Sequence, residues 1–434
     1  MSSTYGFKIC DVASKLMSEI DAPGGGLEYT RYLADNLDLI RRAATYKLER
    51  TEPDCRYLWS PVHAAARQGR RDILEIFLHA ACWMEGQDER KRAPVWYAAR
   101  YGHLEAVQLL VDSGMKFKYG DVDGWSPLHA ASRYGHLGIA QLLIRHDSPV
   151  NHCDAIGWTP LHKAVRGDHL QVCQHLVRFG ASVNATTFND RVTPLHLACY
   201  RVNTRAARLF MSKSTDISQG TAKGVTPLMV ASQLGSHELV EYLTFSGASV
   251  NERTAWHSTP MHYAAEAGHT SVVTLLMRKG ADPDKLNRHG WTPFLLAARH
   301  GHLPVCRALR LKGANARAVL RPHGYTAVHL ACLAGDLETL TYLVDSLELP
   351  VDSRDSKGRT PVHLCAVRGF DDCLQLLLKR GARLDNRDHR GRTPVHLATL
   401  AGYISLAKQL ILNGASLWDA LKALLWTANK IKAD

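Results

Sequence analysis

Apolar and polar positions along the chain follow one order that recurs every 33 or 34 residues. The Thr, Ser or Ala that opens each cycle serves as its index. It falls at Ser60, Ala93, Ser126, Thr159, Thr193, Thr226, Thr259, Thr292, Thr326, Thr360 and Thr393. Two residues later every cycle is apolar, from Val62 to Val395. Five residues later ten cycles have Ala and one has Cys365. Seventeen later all are apolar again, from Phe77 to Leu410. This spacing predicts two short amphipathic helices per cycle, joined by a tight turn and followed by a polar hairpin.

The residues at the boundaries agree with that reading. A Thr or Ser hydroxyl can accept from a free N–H of the first helical turn. The next residue is Pro in ten cycles and Ala327 in one, and Pro suits a position whose N–H would be unpaired anyway. Nine residues after the index, nine of eleven cycles have Gly, from Gly69 to Gly402. Such a Gly ends a helix in the left-handed conformation. A second Gly, as in Gly114 or Gly414, closes the second helix, and segments such as Asp121-Val122-Asp123-Gly124 read as hairpins. The small residue at the fifth offset lets neighbouring helices approach closely. A chain of 434 residues can then grow by stacking and need not divide into several globular cores.

The fifth cycle departs from the pattern. It has Val202-Asn203 where a Gly and a polar residue are usual, and Ser214-Thr215 where Gly-Ala usually closes the second helix. A weak joint, hypothetically a hinge, is expected there.

"SPLHAASRYGHLGIAQLLI" (126–144) and "TPMHYAAEAGHTSVVTLLMRKGA" (259–281) closely resemble ankyrin repeats. The resemblance covers roughly 55–415 and implies an all-α ankyrin-repeat solenoid of about eleven helix–turn–helix–β-hairpin units. The expected organisation is an N-terminal helical cap over 1–54, the repeat array over 55–415 and a C-terminal capping helix over 416–434. Within the N-terminal cap Gly24–Gly26 reads as a flexible joint. Helical spacing of Leu33, Leu37, Ile40, Ala44 and Leu48 predicts a helix over 28–49 that shields the first repeat. Ile9, Val12, Leu16 and Ile20 suggest a further short amphipathic helix. Leu417, Trp418, Leu421, Leu424, Leu425 and Trp426 form an apolar helix that either covers the last repeat or docks a partner.

Composition narrows the function. The net charge of +12 leans toward acidic partners and is too diffuse to indicate nucleic acid by itself. Signal-peptide and membrane-spanning patterns are missing, so a cytoplasmic location, with the nucleus also open, is the default. The ten cysteines include no Cys-x-x-Cys pair and read as small core residues in a reducing compartment. Of 23 histidines, eight stand three residues after the index, His63 to His396, and five follow the first helix: His103, His136, His169, His269 and His302. A metal site needs ligands converging on one point, whereas these recur once per repeat. The resemblance assigns the first group to hydrogen-bonding the adjoining loop. Nucleotide-loop, hydrolase, metalloprotease and kinase motifs are all missing. No catalytic residue, metal or cofactor is expected.

What remains is surface. In ankyrin proteins partners usually dock on the concave side, built from hairpin tips and the exposed face of the first helix. The residue before the index is Trp59, Trp125, Trp158, Trp291 or Tyr325 in five cycles. The residue seven after it is Arg67, Arg100, Arg133, Arg166 or Arg299 in five cycles, with Tyr101 and Tyr134 beside two of them. Either these form a binding surface for acidic or extended protein segments, or Trp and Arg stack on one another within the chain. The expected function is a non-enzymatic scaffold or adaptor. Two alternatives stay open. One is a ubiquitin-ligase substrate receptor, since Ser416-Leu417, Leu421 and Leu425 faintly resemble the first half of a SOCS box. The other is a polyanion or nucleic-acid binder. The oligomeric state is not legible.

Overall fold

The index hydroxyls cap helices as their chemistry suggests. Ser126, Thr159 and Thr193 accept from the backbone N–H of His129, His162 and His196 at 3.3–3.4 Å. The following Pro starts helices such as Pro61–Gln68, Pro94–Tyr101, Pro127–Tyr134 and Pro160–Arg166. Second helices such as Leu104–Asp112 and Leu137–Arg145 follow after a short turn. The computed structural model describes residues 3–21, 48–52, 55–79, 86–213 and 215–431. They form a mostly helical ankyrin-repeat solenoid, with short strands at Leu48–Glu52, Cys55–Trp59, Val319–Leu320 and Tyr325–Thr326. The chain divides into two compact units, Met1–Asp216 and Ile217–Asp434.

Within each unit the core is a column of apolar side chains, one set per repeat. All eleven residues at the seventeenth offset, Phe77 through Leu410, are 0 % exposed. Cys199, Cys332 and Cys365 are buried among the first helices, where their small volume is what the packing needs. Successive hairpins also join through their backbones. In the first unit the Val122 N–H donates to Arg90 at 2.8 Å, Ala155 to Asp123 at 2.9 Å and Phe188 to Ile156 at 3.1 Å. In the second unit Ala255 donates to Lys223 and His389 to Lys357 in the same way.

The turn glycines have two reasons to be there. Gly69 and Gly102 lie at φ of +70° and +89°, a region that penalises a Cβ. A Cβ on Gly69 would also stand 2.4 Å from Nδ1 of His103, in the next repeat. The two cycles without this Gly keep the same backbone turn: Asp168 sits at φ +64° and Val202 at φ +54°. The fourth, eighth and ninth repeats each have 34 residues, one more than the others; the ninth differs in its second helix. It absorbs the extra residue in a π-helical turn, Tyr342–Ser346, after the helix Leu337–Thr341.

At the ends the structure departs from the sequence pattern. Residues 22–47, including Gly24–Gly26 and most of the expected helix 28–49, lie outside the described residues. Leu48 and Glu49, expected at the end of that helix, instead pair with Trp59 and Leu58 in an antiparallel ladder. The aromatic run Tyr57-Leu58-Trp59 favours a strand. The helix Ser3–Asp21 packs on Pro61–Gln68 and buries Leu16, Met17 and Ile20. The helix Leu417–Ile431 packs on Pro394–Leu400. Asp419 and Ala420 are buried there, while Leu417, Trp418, Leu421, Leu424 and Leu425 stay exposed.

Candidate partner-binding surface

Two histidines per repeat fix the frame on which the surface stands. The imidazole that follows the index residue faces it through Nδ1 and donates from Nε2 to a backbone carbonyl about one repeat ahead. His129 reaches Trp158 O at 2.9 Å and His262 reaches Trp291 O at 3.1 Å. These carbonyls belong to the residues just before the next index, so the histidines hold the hairpin tryptophans by their main chain. Burial pulls His129, His162 and His262 down to about 4, because a charged ring would lose hydration there. In the second repeat Trp96 replaces this histidine, and its indole N–H donates to Trp125 O at 3.0 Å. Met229 and Leu295 fill the position in two others.

The second histidine points backward. His103, His136 and His169 donate to the carbonyls of Arg67, Arg100 and Arg133 at 2.7, 3.0 and 3.1 Å. The arginines end their helices, where a cation also suits the helix dipole. Thirteen recurring histidines are thus spread along the stack. Among the described residues no cluster of His, Cys, Asp or Glu could hold a metal ion.

The side chains of these arginines interleave with tyrosines. The Arg67 guanidinium lies 5.1 Å from the centre of the Tyr101 ring, and Arg100 lies 5.5 Å from the same ring. Arg100 and Arg133 share Tyr134 at 5.4 and 6.0 Å. The order Arg67, Tyr101, Arg100, Tyr134, Arg133 is therefore one continuous stack. Arg166 stands apart from it and packs on Trp158 at 5.2 Å; the position after it is Gly167, so no tyrosine continues the row. Trp96 backs the stack, 5% exposed and lying 5.5 Å from Arg100.

Beside the stack lies a group that the sequence pattern did not single out. Lys163, 2% exposed, has its ammonium 3.9 Å from the Trp125 ring centre and 4.8 Å from that of Trp158. Its charge is met by Asp154 at 2.6 Å. Trp125 and Trp158 are half-buried around it. Trp59 ends the strand Cys55–Trp59. In the second unit Trp291 and Arg299 flank the helix Pro293–Arg299 from opposite ends, and no cation–π stack joins them. Intramolecular stacking of Arg on aromatic rings is thus present in the first four repeats. Among the described residues no carboxylate forms an ion pair with Arg100, Arg133 or Arg166.

Comparison with known proteins agrees with this architecture. The family description "Ankyrin repeats (3 copies)" matches seven overlapping stretches, 31–121, 95–187, 186–254, 228–319, 261–355, 296–388 and 329–420. Inversin of Danio rerio is 42% identical over 65 residues, 15% of this chain and 6% of that protein. The target of rapamycin complex 2 subunit AVO2 of Saccharomyces cerevisiae is 36% identical over 61 residues, 14% of each chain. Human protein phosphatase 1 regulatory subunit 27 is 35% identical over 65 residues, 15% of this chain and 42% of that one. The matched segments thus span less than half the length of these relatives. The crystal structure of the human ASB11 ankyrin repeat domain aligns with 52% of this chain and 99% of that domain, at a TM-score of 0.47 and 29% identity. With family matches running from residue 31 to residue 420, the chain belongs to the ankyrin-repeat family.

Proposed function

We propose that this protein is a non-enzymatic scaffold or adaptor that binds an acidic, extended protein segment along the row of Arg67, Arg100, Arg133 and Arg166 in repeats one to four. Ankyrin repeats generally mediate protein–protein interaction and ordinarily carry no catalysis. Two relatives are, by name, a subunit of a complex and a regulatory subunit. The observation that carries the reading is the state of the guanidiniums. Arg100 and Arg133 lie over tyrosine rings at 5.4–6.0 Å from the ring centres, are fixed at the backbone by histidines, and are not paired with any described carboxylate. Ordered side chains lose little further entropy on binding, and a guanidinium edge matches a carboxylate through two parallel hydrogen bonds. Arg, Tyr and Trp are also the residues that dominate binding hot spots. Trp291 and Arg299 are a candidate second station. The terminal helices Ser3–Asp21 and Leu417–Ile431 are proposed to cover the first and last repeats. No described helix is long and apolar enough to cross a membrane.

The test is affinity capture with the intact protein and its Arg100→Glu/Arg133→Glu variant, read by quantitative mass spectrometry. The variant should lose the main captured protein while its circular dichroism stays that of the parent. A charge reversal at Arg278 and Lys279, exposed on the second helix of the seventh repeat, serves as control. Lys379 and Arg380 would serve less well, because Arg380 pairs with Asp345 at 2.7 Å. Unchanged capture by the double variant would reject the reading.

A further inference from the structure

One hairpin aspartate lacks the cation that its counterparts have. Five repeats place an aspartate five residues before the index: Asp88, Asp121, Asp154, Asp355 and Asp388. Each accepts backbone N–H groups of its own hairpin through Oδ1; Asp121 accepts from Asp123 and Trp125 at 3.0 and 2.8 Å. That task needs no negative charge. Thr221, Thr254 and Asn287 perform it in the sixth, seventh and eighth repeats, accepting from Val225, Ser258 and Trp291 at 3.0–3.2 Å. Where the charge is present, a partner comes with it. Arg92, Arg359 and Arg392, each just before an index residue, pair with Asp88, Asp355 and Asp388 at 2.9, 2.8 and 2.7 Å. Lys163, four residues after its index, pairs with Asp154 at 2.6 Å. In the third repeat these two positions hold Trp125 and Ala130.

Among the described residues no cation forms an ion pair with Asp121. The neighbouring Arg92 is bound to Asp88, and Asp123 is met by Arg90 at 3.2 Å. Burial holds the Asp121 carboxyl above the usual carboxylate range, with a further push from Asp123, although the two N–H groups and Arg92 act the other way. Asp121 lines a cavity of about 450 Å³, a volume typical of ligand sites. Trp96, Phe117 and Tyr119 line it too; Trp96 and Phe117 are buried and Tyr119 is 76% exposed. The next repeat shows what a carboxylate beside aromatic rings holds. There the Lys163 ammonium lies 3.9 and 4.8 Å from two indole centres, a favourable place for a cation. In the third repeat the acid and the rings are present and the chain supplies no cation. Two exposed lysines, Lys91 and Lys116, share the lining. They disfavour a ligand that carries only positive charge and favour one with carboxylates beside its cation.

We infer that this cavity takes an arginine or lysine side chain of a partner protein, with Asp121 as its counter-ion and acidic residues flanking it in the partner sequence. The inference goes beyond the acidic-segment reading and does not need the arginine row to bind.

The experiment uses the full protein and labelled synthetic peptides, with binding followed by fluorescence anisotropy. One peptide has a central arginine between pairs of glutamates. Its counterparts replace that arginine by lysine, citrulline or norleucine. Citrulline keeps the size and shape of arginine without its charge. The flanks are constant, so contacts of the glutamates cancel from the comparison. The arginine and lysine peptides should bind about tenfold tighter than the citrulline and norleucine ones, a ratio in keeping with one charge-assisted hydrogen bond. Asp121→Asn should abolish the preference. Asn keeps the Oδ1 acceptor, as Asn287 does in the eighth repeat, so circular dichroism and the urea midpoint should stay at least at the parent's values. A citrulline peptide that binds as tightly as the arginine one, a preference that survives in Asp121→Asn, or no binding by any peptide overturns the inference. A urea midpoint that falls in the variant overturns it as well, because the charge would then serve the fold.

Discussion

Lys163 and Asp154 form an ion pair of 2.6 Å in which both side chains are almost completely buried. The lysine is also enclosed by the rings of Trp125 and Trp158, so it ties the third and fourth repeats together. Removing one member leaves the other charged and uncompensated, which for buried pairs costs about 3–5 kcal/mol. Lys163→Ala should therefore lower the stability of the first unit by that order in urea unfolding. Asp154 also accepts the N–H groups of Ile156 and Trp158 through Oδ1 at 3.1 and 2.7 Å. An Asn keeps that acceptor, so Asp154→Asn combined with Lys163→Leu should recover most of the loss. A single Lys163→Ala variant with the parent's urea midpoint would show that solvent reaches the pair.

The lysine shows where legibility in the sequence ended. The repeat, the caps, the turn glycines and the buried column follow from positions that recur in all or nearly all cycles. Lys163 stands four residues after Thr159, where the other cycles have Ala, Leu, Val or Tyr, and nothing periodic marks it. A signal existed in a difference between cycles. Where the residue before the index is arginine it pairs with the hairpin aspartate, as Arg92 does with Asp88 at 2.9 Å and Arg392 with Asp388 at 2.7 Å. In the fourth repeat Trp158 holds that place, so the compensating cation must come from elsewhere. Trp96 escaped notice for the same reason, replacing a histidine while keeping its hydrogen bond. The strand Leu48–Glu52 was hidden because its pairing depends on the adjacent segment Cys55–Trp59 and not on its own spacing. The arginine positions were readable; that three of them interleave with two tyrosines was not, since ring placement depends on side-chain rotamers.

The buried histidines make stability depend on pH. His129, His162 and His262 titrate at about 4 in the folded chain and near 6.5 when unfolded. Between these values the unfolded chain binds protons that the folded chain does not, so stability rises with pH across that window. Their contribution is complete above pH 6.5 and is lost as pH falls toward 4. Each accounts for up to roughly 3 kcal/mol, at about 1.4 kcal/mol per pH unit of difference. Urea midpoints measured from pH 7 down to pH 5 should fall steadily, and His129→Gln should flatten the slope. Equal midpoints at pH 7 and pH 5 would contradict this account.

The fifth repeat is expected to open first, and Val202 supplies the reason. Its φ of +54° belongs to a region that costs a β-branched residue about 1 kcal/mol or more. Nine other repeats place Gly at this turn. Part of the defect is compensated at the start of the next helix, Thr204–Met211: Asn203 accepts from Ala206 N–H at 2.8 Å and donates to Asp168. At the far end of that helix no glycine closes the chain, but the Thr215 hydroxyl donates to Phe210 O at 2.6 Å. The capping loss is thus smaller than the missing glycines suggest, and the strain at Val202 is what remains. In a stack where each repeat touches only its neighbours, a local deficit of this size is felt locally. Amide exchange over 200–222 should run faster than in the third and seventh repeats. Val202→Gly should slow it several-fold and raise stability by about 1 kcal/mol, slightly reduced by the greater freedom of Gly in the unfolded chain. Exchange in 200–222 no faster than in those two repeats, or a Val202→Gly variant less stable than the parent, would show that the turn is not the weak point.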